Sequence, residues 1–334
     1  MKILLIPYIR LFKVLAMCLL SCGFIAAADT YAGKKKSVKS TFMALLPEYS
    51  DSVLKIKDKH KQKKAKQSEF KALVELLHKK YSKKQLSLPE KTHKDIIRVA
   101  TYNVHCWRGP EKELGDRIGG SFAAIFEVIK NINADVLVLQ EVELRSPQTL
   151  AVLATLGYRY CVFAGASDTA SKYGNMIVSK VPLLTQPIKK NFSYGGHHSR
   201  SFIKVEIDLS KYHKKNLVFY GSHFDDLDGK ARLLEAQELV DSAHTYDFGK
   251  NVVIGADFNE QTGKAIKHLA SQGFINSFDL AGIAQPTFTH WSGKALDGLY
   301  INRCNWNLWI DGSYVLYSGA SDHLPVIMDI DPTK

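Results

Sequence analysis

The stretch SGASDHLPVIMDI, residues 318–330, sets the fold problem for this chain. Its second half alternates as a half-buried strand does. Its first half puts two adjacent titratable residues, Asp322 and His323, at the mouth of that strand. Acids and imidazoles are costly beside apolar strands unless they are paired or bind a metal. A polar loop end and a piece of a site are both open readings, and the rest of the sequence decides between them.

The same texture recurs upstream. IIRVATYNV (96–104) reads as a buried strand and carries Asn103 near its end. ADVLVLQEV (134–142) ends on Glu141. NLVFYGSHF (216–224) ends on His223, and NVVIGADFN (251–259) on Asp257 and Asn259. LDGLYI (296–301) opens on Asp297. YRYCVFAG (158–165), YGNMIVSKVP (173–182), SFIKVEIDL (201–209) and LWIDGSYVLY (308–317) are further strands. Helical periodicity marks 122–132, 147–157, 230–246 and 262–273. Strands outnumber helices and often follow one another directly, which excludes a purely parallel, doubly wound sheet. Mixed sheets stacked together with helices outside are expected. No internal repeat and no glycine fingerprint for a nucleotide are present, so no nucleotide cofactor is expected.

Charge is unevenly spread. The chain carries a formal net charge of +12. Residues 33–96 hold 18 Lys and Arg against 7 Asp and Glu, and residues 97–334 hold 24 against 25. The basicity therefore says little about what the larger part binds. Residues 1–28, with Lys2, Arg10 and Lys13 before an apolar run ending in small residues, read as a signal peptide with cleavage after Ala28. A lipoprotein box at Cys22 and an uncleaved anchor are the alternatives, and each makes the protein exported, periplasmic or secreted. Residues 29–95 form a Lys-rich segment. Within residues 57–84, SEFKALVELLHKKY (68–81) has an apolar helical face suited to an anionic membrane surface or a nucleic-acid backbone, or to packing on the main domain. Residues 96–334 make the main domain. Cys106, Cys161 and Cys304 show no metal spacing and read as core cysteines, with a Cys106–Cys161 bridge as the alternative.

The polar residues at strand ends have a shared chemistry. Carboxylate and amide oxygens suit a hard cation such as Mg²⁺, with Glu141 first and Asn103 and Asp322 assisting. Histidines can donate to phosphate oxygens as charge builds. An Asp held by a neighbouring Asn can deprotonate water. A Ser-His-Asp hydrolase would need a GxSxG elbow, and zinc hydrolysis an HExxH or Cys/His cluster; neither occurs.

In this order, TYNV, LQEV, YGNMIVSK, GSHF, GADFN, LDGLYI and SDHLPV resemble the endonuclease/exonuclease/phosphatase family over about residues 96–331. The resemblance implies a four-layered α/β sandwich of two mixed β-sheets flanked by helices, and a divalent metal, Mg²⁺ with Mn²⁺ as a substitute. It implies Glu141, Asn103 and Asp322 on the metal side. It implies Asp257 as the acid that activates water, Asn259 and His223 as phosphate contacts, and His323 oriented by Asp297. Asn175 and Arg200 are candidates for substrate contact, against a turn amide and a strand-edge salt bridge. The expected enzyme is a monomeric phosphodiesterase acting as a nuclease. An exported phospholipid or sphingomyelin phosphodiesterase is the alternative. An inactive surface-binding protein is the reading of another class.

Overall fold

The computed structural model describes residues 88–107, 122–144, 147–167, 172–290 and 292–334. All of them belong to one unit, residues 40–334. The expected signal peptide and the basic helix at 68–81 lie outside the described residues. Among those described, no helix is long and apolar enough to cross a membrane.

Among the described residues, twelve strands form two six-stranded sheets. The first sheet holds β1 (Ile97–Asn103), β2 (Val136–Glu143), β3 (Tyr160–Gly165), β4 (Tyr173–Ser179), β11 (Trp309–Val315) and β12 (Val326–Asp331), in the order β11-β12-β1-β2-β4-β3. The second holds β5 (Ile188–Asn191), β6 (Ser201–Ile207), β7 (Leu217–His223), β8 (Asn251–Asp257), β9 (Phe274–Asn276) and β10 (Asp297–Asn302), in the order β5-β6-β7-β8-β10-β9. The helices are α1 (Phe122–Ile132), α2 (Pro147–Thr155), α3 (Gly229–Tyr246), α4 (Lys264–Ser271) and the single turn α5 (Ser277–Leu280). The mixed sheets with outer helices are as expected.

Each sheet has one parallel pair, β1 with β2 and β7 with β8, and every other pairing is antiparallel. A parallel pair needs a crossover, and α1 and α3 supply one each. The helix α3 starts where the Asp228 side chain caps it, accepting from Lys230 N at 2.8 Å.

The strand period of two builds the layers. In β1, Val99 points between the sheets, while Ala100 and Tyr102 point under the outer helices. In β8, Val253 points inward and Val252 and Ile254 outward against α3 and α4. Three apolar layers thus fill the gaps between four structural layers. At Gly221 in β7 the sheets come so close that a Cβ would sit 2.4 Å from Val138 Cγ2 of the opposite sheet.

At the end where β1 starts, Arg98 is buried and grips Asp329 of β12 with two bonds of 2.7 Å. The Nη2 that binds Asp329 also donates to Pro89 O at 2.8 Å, and Nη1 donates to Ile132 O at 3.2 Å. The edge strand β5 was not expected; its sequence IKKN is wholly exposed and has no apolar run to signal a strand. Lysines on such an edge discourage pairing with other chains. The cysteine expectation needs correction. Cys161 and Cys304 are exposed thiols, and Cys106 is half-buried with its Sγ 3.7 Å from Glu141 Oε2. Cys161 lies on β3, an edge strand with little to cover its outer face.

Two outcomes test this packing. Gly221→Ala inserts a methyl where the sheets touch and should lower the unfolding free energy by about 1–3 kcal/mol in urea melts. Glu235 of α3 is fully buried, accepts only Asp225 N at 2.9 Å, and leaves its other oxygen unpaired. Burial pushes its carboxyl up to about 7. The unfolded chain ionises near the ordinary Glu value while the folded one stays protonated. Stability should therefore fall as pH rises through that window and level off above it. Relative to Glu235→Gln, the native protein should lose about 3 kcal/mol across this range, measured by urea midpoints at several pH values.

Candidate active site

Strands β1, β2, β7 and β8 all end at one rim of the sandwich, and β4, β6, β10 and β12 begin there. The inward-facing positions, apolar along the strands, turn polar at this last layer. Asn103 continues the inward row of Val99 in β1, His223 that of Phe219 in β7, and Asp257 that of Val253 in β8. Asp297 of β10 sits directly opposite Asp257 in the antiparallel register.

Glu141 does not follow the alternation. The β2–β4 register shifts between Leu139 and Val142, and Glu141 has a left-handed backbone, φ 56°. This bulge turns its side chain into the cleft, a common use of bulges beside active sites. The conformation costs on the order of 1–3 kcal/mol in a residue with a Cβ.

The rim opens into a cleft of ≈ 570 Å³, lined among others by Glu141, Asp257, Asn259 and Asp322. Six of its lining residues are histidines: His105, His197, His198, His223, His290 and His323. Its centre is one amide. Asn103 Nδ2 donates to Glu141 Oε1 at 3.1 Å and to Asp257 Oδ2 at 3.0 Å, while Asn103 Oδ1 accepts His105 N at 2.9 Å. Asn103 is fully buried, and it joins a carboxylate of one sheet to a carboxylate of the other. Asp257 Oδ1 takes Asn259 N at 3.0 Å, and the Asn259 amide donates to Phe224 O at 2.9 Å. That amide also lies 2.9 Å from His223 Nε2.

His323 Nδ1 donates to Asp297 Oδ2 at 2.8 Å, and its Nε2 lies 3.6 Å from Asp257 Oδ2. Thr289 Oγ1 donates to the same Asp297 oxygen at 2.7 Å, fixing the carboxylate. Burial opposes a charge on His323, but Asp297 and Asp257 outweigh it and hold the imidazolium well above the usual histidine range. Burial, then the Arg200 and His323 cations, push His223 well below that range, so it stays neutral. Burial pushes Asp257 up, and Asp297 adds to this against the pull of His323 and Asn103. Asp322 is buried too, yet it is held well below the carboxylate range by His105 at 2.7 Å and His290 at 3.7 Å. Burial and the His323 cation lower His290, whose ring lies 4.5 Å from that of His323.

The structure thus brings together Asn103, Glu141, His223, Asp257, Asn259, Asp297, Asp322 and His323. Arg200 lines the same cleft, 3.3 Å from His223 Nδ1, and also pairs with Asp226 at 3.2 Å. Asn175 is placed elsewhere: its amide lies beneath the cleft and donates to Ser201 O at 2.8 Å. His105 and His290 were missed. His105 opens a 3₁₀ turn and His290 lies between named elements, and only the fold shows that both reach Asp322.

A family model described as the endonuclease/exonuclease/phosphatase family matches residues 100–323. The chain belongs to this family. As a member it is a metal-dependent phosphoric ester hydrolase. Its fold is similar to the human nocturnin catalytic domain with bound sulfate, at 20% identity and a TM-score of 0.56, covering 72% of this chain and 94% of that one. It is also similar to ANGEL2, a 2',3'-cyclic phosphatase (16%, 0.57, 76% and 100%). A mannosyl-6-phosphatase of Bacteroides thetaiotaomicron gives 16%, 0.52, 70% and 99%. No curated protein sequence matches the chain.

The donors fit the divalent metal on which the family depends. Glu141 and Asp322 offer oxygen, as a hard cation requires, and the bulge aims Glu141 into the cleft at a conformational cost. Acidic and histidine groups also cluster closely at Asp257–Asp297–His323 and at His290–Asp322–His323. Asn103→Ala removes the donor shared by two carboxylates. It should lower kcat by on the order of 10²–10³ on a phosphoester substrate, beyond any loss seen in a urea melt at the assay temperature.

Proposed function

We propose that this family member is a Mg²⁺-dependent phosphodiesterase that hydrolyses its ester by in-line attack of water. The pairing of Asp257 with His323 at 3.6 Å carries the reading. Asp257 is the base. Both its oxygens accept bonds from neutral donors, the Asn103 side chain and the Asn259 backbone N–H, which orient it while burial keeps it basic. His323 faces it as a cation, held in orientation by Asp297. An anionic phosphate entering beside the pair, from the cleft, meets both a proton acceptor and a charged donor. His223 and the Asn259 amide add neutral donors from the second sheet, where charge builds on the phosphoryl oxygens. Mg²⁺, held by Glu141 and Asp322, would neutralise phosphate charge when bound.

For the substrate, nuclease action is the first reading. It draws on the family's breadth and on the Lys-rich residues 33–96, a suitable grip for a phosphate backbone. Export, expected from residues 1–28, is part of the same proposal. A compact phosphoester is the second reading. The cleft volume is that of a small-molecule site, and residues 97–334 bring almost no net charge to attract a polyanion.

The test is a panel with Mg²⁺: plasmid DNA, single-stranded DNA, RNA, sphingomyelin, soluble inositol phosphates and sugar phosphates. Hydrolysis of a nucleic acid supports the first reading, and hydrolysis confined to small phosphates supports the second. On the true substrate, His323→Ala should lower kcat by on the order of 10²–10³, and excess EDTA should abolish turnover. Full activity in either case would refute the mechanism.

A further inference from the structure

At the mouth of the cleft, apart from the Asp257–His323 pair, His197 and His198 meet Asp226. We infer that these three side chains form a second metal site, for a borderline divalent cation of the Zn²⁺ type.

The spacing is that of a coordination sphere. His197 Nδ1 lies 3.1 Å from His198 Nε2, and His198 Nε2 lies 3.6 Å from Asp226 Oδ1. All three ligand atoms lie within 4.8 Å of one another. Zinc–nitrogen bonds of about 2.0–2.1 Å in a tetrahedron put neighbouring ligand atoms roughly 3.4 Å apart. The imidazole planes stand at 84°, so the rings do not stack and their nitrogens can converge on one point. Two imidazoles and one carboxylate select zinc-like ions over Mg²⁺, which prefers oxygen alone.

The loops carrying the ligands are fixed from behind by one side chain. Asp225 is fully buried. Its Oδ2 accepts His198 N at 2.7 Å, and its Oδ1 accepts Leu227 N at 2.9 Å and Asp228 N at 2.6 Å. A single carboxylate thus clamps the 197–198 segment to the turn that presents Asp226. The approach also needs Gly196, where a Cβ would lie 2.4 Å from Ala231 Cβ and 2.7 Å from Asp225 Oδ2. Such backing is what holds metal ligands in place. Arg200 donates to the same Asp226 Oδ1 at 3.2 Å; a carboxylate oxygen carries two lone pairs, so the guanidinium and the ion would share it. The three ligands line the same cleft as the catalytic groups. A fourth coordination position on the cleft side would take an anionic oxygen of the substrate, beyond the phosphate being cleaved. Metal binding here is independent of which phosphoester the enzyme cleaves.

Calorimetric titration of the full chain with Zn²⁺ alone tests the site. The double variant His197→Gln/His198→Gln should bind one equivalent fewer than the native protein, whereas Glu141→Gln should keep that equivalent. Co²⁺ should give the intense visible bands of a four-coordinate ion in the native protein and in Glu141→Gln, and lose them in the double variant. Circular dichroism checks that each variant is folded. Should the double variant fail to fold, Asp226→Asn serves instead, with an expected loss of at least about tenfold in Zn²⁺ affinity for that equivalent. Equal stoichiometry and equal Co²⁺ spectra in native protein and double variant, or unchanged affinity in Asp226→Asn, would overturn the assignment.

Discussion

The side chain of Asn103 can donate two hydrogen bonds, and it gives both to carboxylates. Glu141 on one sheet and Asp257 on the other are the acceptors. A carboxylate can only accept, so no carboxyl or hydroxyl oxygen in that position would serve both. Two carboxylates brought this close without a shared donor would repel each other. The amide therefore does more than fill the rim. It lets the sandwich place two carboxylates from facing sheets at one point. The adjoining backbone is tied in as well, since Ser321 beside Asp322 donates to Asn103 O at 2.8 Å.

The same economy runs through the fold. Inward positions are apolar for most of each strand, and the period of two needs no change for them to become polar at the rim. Val99, Phe219, Val253 and Leu299 hold the sheets together. One period or two further on, Asn103, His223, Asp257 and Asp297 occupy the same inward rows. Burial is what gives these groups their chemistry. It keeps His223 neutral and Asp257 basic, and it lets Asp297 hold His323 as a cation against the same desolvation.

Most of this was legible because it is periodic. Polar residues at the ends of apolar runs mark the rim in the sequence, and the lengths of those runs mark the strands. What escaped lies where periodicity fails. By alternation alone Glu141 belongs with Leu137 and Leu139 on the helix side; only the bulge brings it inward, and no residue type announces a bulge. His105 and His290 act through Asp322 across distances that no local pattern spans. His105, Cys106 and Trp107 all have positive φ, at 43°, 54° and 61°, in a left-handed turn that few side chains favour. Cys161 was read as core because its strand is apolar, but an edge strand covers only one of its faces.

The grip of Arg98 on Asp329 and Pro89 has a bearing on how the enzyme is held. It lies where β1 begins and β12 ends, and the cleft lies where β1 ends. Seven residues of strand at about 3.3 Å each separate the two, roughly 20 Å. Residue 88, where the Lys-rich segment joins the described domain, is thus at the base of the sandwich. Lys91 with Asp135 and His93 with Asp331 are tied at the same end, so the chain enters the sandwich well clear of the cleft.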